Sequence, residues 1–161
     1  MLIKKQILNK QMSEINIFYA DDDDDDLMFF NDAVSALSNK AEKLINLYIH
    51  KNGELLLESI KKNKQNNNVV FLDLNMPRKS GFQFLEEIRN EPDLKTIPVI
   101  IYSTSADDDN ISLSHNLGAN FYAVKPYNFQ DLMKMISNVA LINWQNHQAD
   151  FENFLFNKIV N

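Results

Sequence analysis

Short apolar runs alternate with amphipathic segments along most of the chain. Five runs rich in β-branched and aromatic residues predict strands, at residues 15–20, 44–49, 69–72, 97–102 and 121–124. Five segments with apolar residues three or four positions apart predict helices, at residues 27–37, 53–62, 81–90, 107–117 and 129–139. Asn128 suits the N-cap of the last helix, and Gly118 suits the end of the fourth.

This regular alternation predicts an α/β fold of the (βα)5 type. The expected architecture is a flavodoxin-like, doubly wound parallel sheet of five strands in the order 2-1-3-4-5. The third strand is apolar at every position from Val69 to Leu72, which indicates that both of its faces are buried. The predicted domain covers residues 14–143, with an N-terminal extension at 1–13 and a C-terminal helical extension at 144–161.

The C-terminal extension carries more large apolar residues than a domain of this size needs for its own core. Phe151, Phe154, Leu155 and Ile159 have the spacing of one helix face. The spacing favours an interface, most simply with a second copy of the chain, over a segment that folds back on the domain.

The amino-acid composition excludes several kinds of site and partner. The chain has no cysteine, which excludes disulfides and thiolate sites, and 16 Lys and Arg face 22 Asp and Glu. Six of the acids form the run Asp21 to Asp26, and the remaining charges balance, so the acidity is local. Such a chain is a poor nucleic-acid binder, and no apolar run approaches membrane-spanning length. We expect a cytoplasmic protein.

Polar residues follow the predicted strands at one edge of the sheet, where ligands bind in this architecture. Asp21 and Asp22 follow the first strand, Asp73 the third, Ser103 the fourth and Lys125 the fifth. Three carboxylates at close quarters stay ionised only beside a cation, and an all-oxygen ligand set favours Mg²⁺, with Mn²⁺ as a substitute.

The same edge suits a phosphoryl group, because an ammonium and a hydroxyl can both donate to its oxygens. A carboxylate beside them can act as the nucleophile and form an aspartyl phosphate. Asp73 follows a buried strand and precedes a rigid Asn-Met-Pro turn, so we assign it as the phosphoacceptor.

Four blocks of sequence strongly resemble the receiver domain of bacterial two-component response regulators, over about residues 15–143. The blocks are IFYADD ending at Asp22, VVFLDLNMPRKSG ending at Gly81, PVIIYST ending at Thr104 and LGANFYAVKP ending at Pro126. The acidic run also resembles that of single-domain regulators, including those paired with bacterial phytochrome kinases.

The resemblance implies a role for each matching residue. Asp21 and Asp22 would hold Mg²⁺ together with Asp73 and the backbone carbonyl of Asn75. Asp73 would be phosphorylated, with Ser103, Lys125 and the backbone of Thr104 as donors to the phosphoryl oxygens.

The resemblance also implies that Ser103 and Tyr122 form the switch, although a plain core role for Tyr122 stays open. Gly81 would serve the loop after Asp73, and the bond before Pro126 would be cis.

The implied function is that of a phosphorelay receiver, not a free-standing enzyme. A sensor histidine kinase or phosphotransfer protein would phosphorylate Asp73, and the switch would alter a surface that binds a downstream protein. Any catalysis would be confined to the domain's own phosphorylation and dephosphorylation. We expect Asp23 to Asp26 to cap the first helix and face solvent, with tuning of metal affinity or partner choice as the alternative.

Two other classes compete with this interpretation. An aspartyl-phosphate hydrolase would use the same metal and nucleophile, but it needs a second acid two residues later, where this chain has Asn75. A degenerate receiver would bind partners without phosphorylation, and the presence of Asp73, Lys125 and the acid pair argues against it.

Overall fold

The computed structural model describes residues 13–40, 43–64 and 67–156. The strands are β1 Ser13–Asp21, β2 Lys43–Lys51, β3 Asn68–Leu72, β4 Val99–Ser103 and β5 Phe121–Val124. The helices are α1 Asp24–Ser38, α2 Leu56–Lys62, α3 Gly81–Asn90, α4 Asp108–Asn116 and α5 Phe129–Leu141. The strands form a parallel sheet in the order β2-β1-β3-β4-β5, which confirms the predicted fold.

Two apolar cores lie on opposite faces of the sheet. Strand side chains alternate between the faces. Tyr19 and Phe71 pack with α1 and α5, whereas Phe18, Val70 and Tyr122 pack with α2, α3 and α4. This double burial explains why β3 is apolar throughout. Within the described ranges, no helix is both long and apolar enough to span a bilayer.

Most helix ends fall near their predicted positions. Asn128 caps α5, because its Oδ1 accepts a hydrogen bond from the Asp131 backbone N–H at 2.8 Å. Helix α2 begins later than predicted, at Leu56. The three preceding residues with positive φ, Asn52, Gly53 and Leu55, form a turn that a helix cannot include.

The C-terminal segment differs from the predicted helix face. Trp144–Asn146 and Phe151–Asn153 are short 3-10 helices, and Leu155 pairs with Tyr122 in a parallel bridge on the free edge of β5. Phe154 and Phe156 point to opposite faces of the sheet and are 1% and 2% exposed.

The prediction that this segment forms a partner interface is therefore wrong for Phe154, because this side chain lies in the domain's own core. The 3-10 helix ends at Phe154 and Leu155 pairs with β5, so Phe154 and Phe156 close opposite cores and the segment presents no single apolar stripe. Phe151 is 59% exposed, and Leu155 is half-buried. Ile159 and residues 1–12 of the N-terminal extension lie outside the described residues.

Candidate functional site

Three aspartates converge where β1 and β3 end. Asp21 is the last residue of β1, Asp22 follows it, and Asp73 follows β3, which pairs with β1. One carboxylate oxygen from each lies within 4.8 Å of the others. Asp21 and Asp73 are buried, and Asp22 is exposed. The sequence prediction that these side chains meet at one edge of the sheet is confirmed.

Lys125 reaches the same cluster from the end of β5. Its Nζ lies 2.6 Å from Asp21 Oδ2, 2.8 Å from Asp26 Oδ2 and 3.3 Å from Asp73 Oδ1. Burial alone would lower the pKa of Lys125, but its hydrogen bonds to Asp21 and Asp26 outweigh burial and raise the pKa above its usual range. The ammonium therefore stays charged within the carboxylate cluster.

Asp26 and Tyr19 belong to this site and were not among its predicted residues. Asp23 caps α1 as expected, accepting from the backbone N–H groups of Asp25 and Asp26. The Asp26 carboxylate instead turns to Lys125. The Tyr19 hydroxyl donates a hydrogen bond to Asp21, and Tyr19 could have been found, because it lies two residues earlier on the same face of β1.

Strand alternation divides the site between the two faces of the sheet. Asp21, Asp73 and Lys125 each lie two residues after a strand residue that faces α1 and α5, so their side chains point to that face of the sheet. Asp26 on α1 can therefore reach Lys125. Ser103 and Tyr122 have the opposite alternation, towards α2, α3 and α4.

Ser103 and Tyr122 are both fully buried. Ser103 Oγ accepts from the Ser105 backbone N–H at 3.2 Å, and the Tyr122 hydroxyl donates to the Ser105 carbonyl at 2.7 Å. Tyr122 is thus a core side chain whose polar end is tied to the loop after β4. Thr104 on that loop and Asn75 on the loop after β3 are exposed.

Gly81 allows the loop after β3 to fold tightly against Asp73. A Cβ at position 81 would lie 2.3 Å from the Asp73 carbonyl oxygen, so only glycine fits. The Lys125–Pro126 bond is trans, in contrast to the expectation from the resemblance. Either isomer is accessible to an X–Pro bond, and Lys125 reaches the aspartates with the trans bond.

The electrostatics of the cluster favour a bound cation. Burial and the nearby Asp21 charge raise the pKa of Asp73 to about 7, against the opposing effect of Lys125. Lys125 contacts Asp21, Asp26 and Asp73, and Asp22 adds a fourth carboxylate to the cluster, so carboxylates outnumber the ammonium. Since the ligand atoms are all carboxylate oxygens, the residues fit a hard divalent cation.

Comparison with known proteins identifies one family model and several similar proteins. The family model described as "Response regulator receiver domain" matches residues 17–137. The response regulator Rcp1 of Synechocystis sp. is 43% identical over 72 residues, which are 45% of this chain and 49% of that protein. The probable methanogenesis regulatory protein FilR2 of Methanothrix harundinacea is 32% identical over 71 residues, 44% of this chain and 46% of that protein. These alignments span about half the length of the curated relatives.

Solved structures match over more of the chain. The Mn²⁺-bound form of Rcp1 has a TM-score of 0.63 and 26% identity, and the match covers 84% of this chain and 98% of that one. The phosphorylated cyanobacterial phytochrome response regulator RcpA has a TM-score of 0.66 and 28% identity, with 81% and 94% covered.

Proposed function

The chain belongs to the response regulator receiver family, the signalling modules of two-component phosphorelays, and we propose that it receives its phosphoryl group on Asp73. The observation that carries this proposal is the contact of buried Asp73 with both an acid cluster and Lys125. A buried carboxylate whose position is held by β3 and by the tight loop at Gly81 is suited to in-line attack.

In the proposed step, a carboxylate oxygen of Asp73 forms a bond to phosphorus while the bond from phosphorus to the donor's leaving group breaks. Lys125 donates to a phosphoryl oxygen, with Ser103 Oγ and the Thr104 backbone N–H as further donors. Hydrolysis reverses the attachment, because water attacks phosphorus and Asp73 leaves as a carboxylate. The domain would thus catalyse only its own phosphorylation and dephosphorylation.

Receiver domains bind a divalent metal, and we propose Mg²⁺ for this chain, with Mn²⁺ as a substitute. Asp21, Asp22, Asp73 and the Asn75 backbone carbonyl would hold it. When bound, the cation would neutralise the carboxylates and offset charge on the phosphoryl group.

The proposed donor is a sensor histidine kinase or a phosphotransfer protein, and the proposed site of action is the cytoplasm. A downstream protein would bind the surface of α4, β5 and α5, next to the Tyr122 position that the resemblance marks as a switch. A homodimer through the C-terminal segment would have to use exposed side chains such as Phe151, since Phe154 and Phe156 are buried in their own domain.

Incubation with acetyl phosphate and Mg²⁺ tests the assignment. Intact-mass measurement should show a gain of about 80 Da in the native chain, the mass of one phosphoryl group on a carboxylate. Asp73→Asn should show no gain, because the amide keeps the shape of the side chain without its nucleophilic oxygen.

The exposed Asp25→Asn variant is a matched control for the loss of one charge, and it should still gain the phosphoryl mass. A mass gain retained in Asp73→Asn would disprove the phosphoacceptor assignment. Continuous release of phosphate without an accumulated adduct would instead favour the hydrolase alternative.

A further inference from the structure

Lys125 shares one ammonium among three carboxylates, and the sharing is uneven. A lysine ammonium has three N–H donors. Two of them make hydrogen bonds, to Asp21 at 2.6 Å and to Asp26 at 2.8 Å, while Asp73 is farther away at 3.3 Å. The ammonium therefore lies nearer to Asp21 and Asp26 than to Asp73, the carboxylate to which the phosphoryl group would be attached, although it still contacts Asp73.

The first turn of α1 leaves Asp26 available for this contact. Asp26 is the third residue of the helix, a position whose side chain often turns back to the N-cap backbone N–H. Here that N–H, from Asp23, donates to Asp21 Oδ1 at 3.0 Å. With the N-cap N–H satisfied, the Asp26 carboxylate extends to Lys125 and keeps 38% of its side chain exposed at the rim of the site.

We propose that Asp26 is a positioning residue that restrains Lys125 and thereby slows phosphorylation of Asp73, an inference that rests on the proposed function of the site. The Asp26 carboxylate competes with a phosphoryl oxygen for the charge of the Lys125 ammonium. The half-exposed Asp26 carboxylate also repels an incoming phosphodonor, which is an anion. Both effects act in the same direction, so removal of this one charge accelerates the reaction.

The rate of phosphorylation by acetyl phosphate at saturating Mg²⁺ tests this role. Asp26→Asn should react at least about threefold faster than the native chain, since one like charge near the reacting group is removed. Asp25→Asn removes the same charge from an exposed neighbouring position and should stay within about 1.5-fold of native, because exposed charges are screened. Asp26→Glu restores the charge and should return the rate towards native.

Two further measurements separate positioning from a general charge effect. In a Lys125→Met background, Asp26→Asn should accelerate the reaction less than it does in the native background, because only the repulsion of the phosphodonor remains to be removed. In metal-free protein with ¹⁵N-labelled lysine, the Lys125 side-chain resonance should shift in Asp26→Asn and stay in place in Asp25→Asn. The second readout depends on the contact alone and not on turnover.

The outcomes are distinguishable from failure of the proposed function. If the native chain forms no acyl phosphate, the proposed function fails. If the native chain reacts and Asp26→Asn is no faster than Asp25→Asn, or is slower, then Asp26 does not restrain Lys125 and this inference is wrong. An acceleration that persists unchanged in the Lys125→Met background also overturns it.

Discussion

At Asp73, the proposed phosphoacceptor, burial opposes the ionisation that nucleophilic attack needs. Burial and the neighbouring Asp21 raise the pKa of Asp73 to about 7. Lys125 only partly offsets this effect. The site therefore carries an electrostatic cost at neutral pH that a bound divalent cation removes.

This cost predicts a pH-dependent stability difference in metal-free protein. The pKa of Asp73 is higher in the folded chain than its ordinary value of 3.8, so the folded state favours the protonated carboxyl. The contribution of Asp73 to the free energy of unfolding is therefore present at low pH and is lost as pH rises through about 7. Asp73→Asn cannot ionise and avoids the loss. In chelator, urea unfolding should show the variant more stable than native at pH 8 by about 1–2 kcal/mol, after allowance for solvent screening, and the advantage should shrink at pH 5.

Added Mg²⁺ at pH 8 should stabilise the native chain more than Asp73→Asn, because the variant has lost one carboxylate ligand. Asp25→Asn, with its exposed side chain, should follow the native pH profile. An advantage of Asp73→Asn that is equal at pH 5 and pH 8 would show that ionisation of Asp73 is not the cause.

Among the elements, the junction of β3 and α3 determines where Asp73 is held. Helix α3 begins at Gly81, capped by Ser80 in a reciprocal pair of bonds with Gln83. The Gly81 N–H donates to the Leu74 carbonyl at 3.1 Å, which brings the helix start onto the backbone of Asp73. The loop is thus fixed by backbone contacts at both ends.

Replacement of Gly81 by alanine tests this junction. Glycine to alanine in an unobstructed helix stabilises a protein by about 0.4–1 kcal/mol. Here the new Cβ would meet backbone that cannot rotate away, so Gly81→Ala should destabilise by about 1–3 kcal/mol and slow phosphorylation. Urea unfolding and the initial rate measure the two effects, and a gain in stability would show that the close approach is not required.

The alternation of apolar runs with amphipathic segments was sufficient to predict the strands and helices, and the sheet order followed from the flavodoxin-like fold class that this alternation indicates. Strand ends also located Asp21, Asp73 and Lys125. Asp26 was missed because its role depends on which side chain caps α1, and an aspartate run offers several equivalent candidates. Helical spacing at Phe151 and Phe154 was misleading, since the 3-10 helix there has a single turn and the next residue, Leu155, pairs with the edge of β5.

Across the whole molecule, β5 joins the proposed reaction site to the opposite face of the sheet. Lys125 follows this strand on one face, and Tyr122 within it packs on the other. The Tyr122 backbone N–H also donates to the Phe154 carbonyl at 2.9 Å, so the C-terminal segment is bound to the same strand. A movement of β5 or Tyr122 would therefore alter the support of that segment.

The C-terminal segment should behave as part of the domain, and two phenylalanines three residues apart can show it. Phe154 is 1% exposed among the residues of one core, so Phe154→Ala should lower the free energy of unfolding by about 3–5 kcal/mol, or by less if the segment detaches locally. Phe151 is 59% exposed against His115, so Phe151→Ala should cost less than about 1 kcal/mol.

Fluorescence of Trp144, the chain's one tryptophan, should report loosening in Phe154→Ala, because Phe121 packs against both Trp144 and Phe156. Size measurements across protein concentration complete the test: if Phe151→Ala lowers the molecular size while Phe154→Ala leaves stability unchanged, the segment serves an interface between copies and does not close this domain's own core.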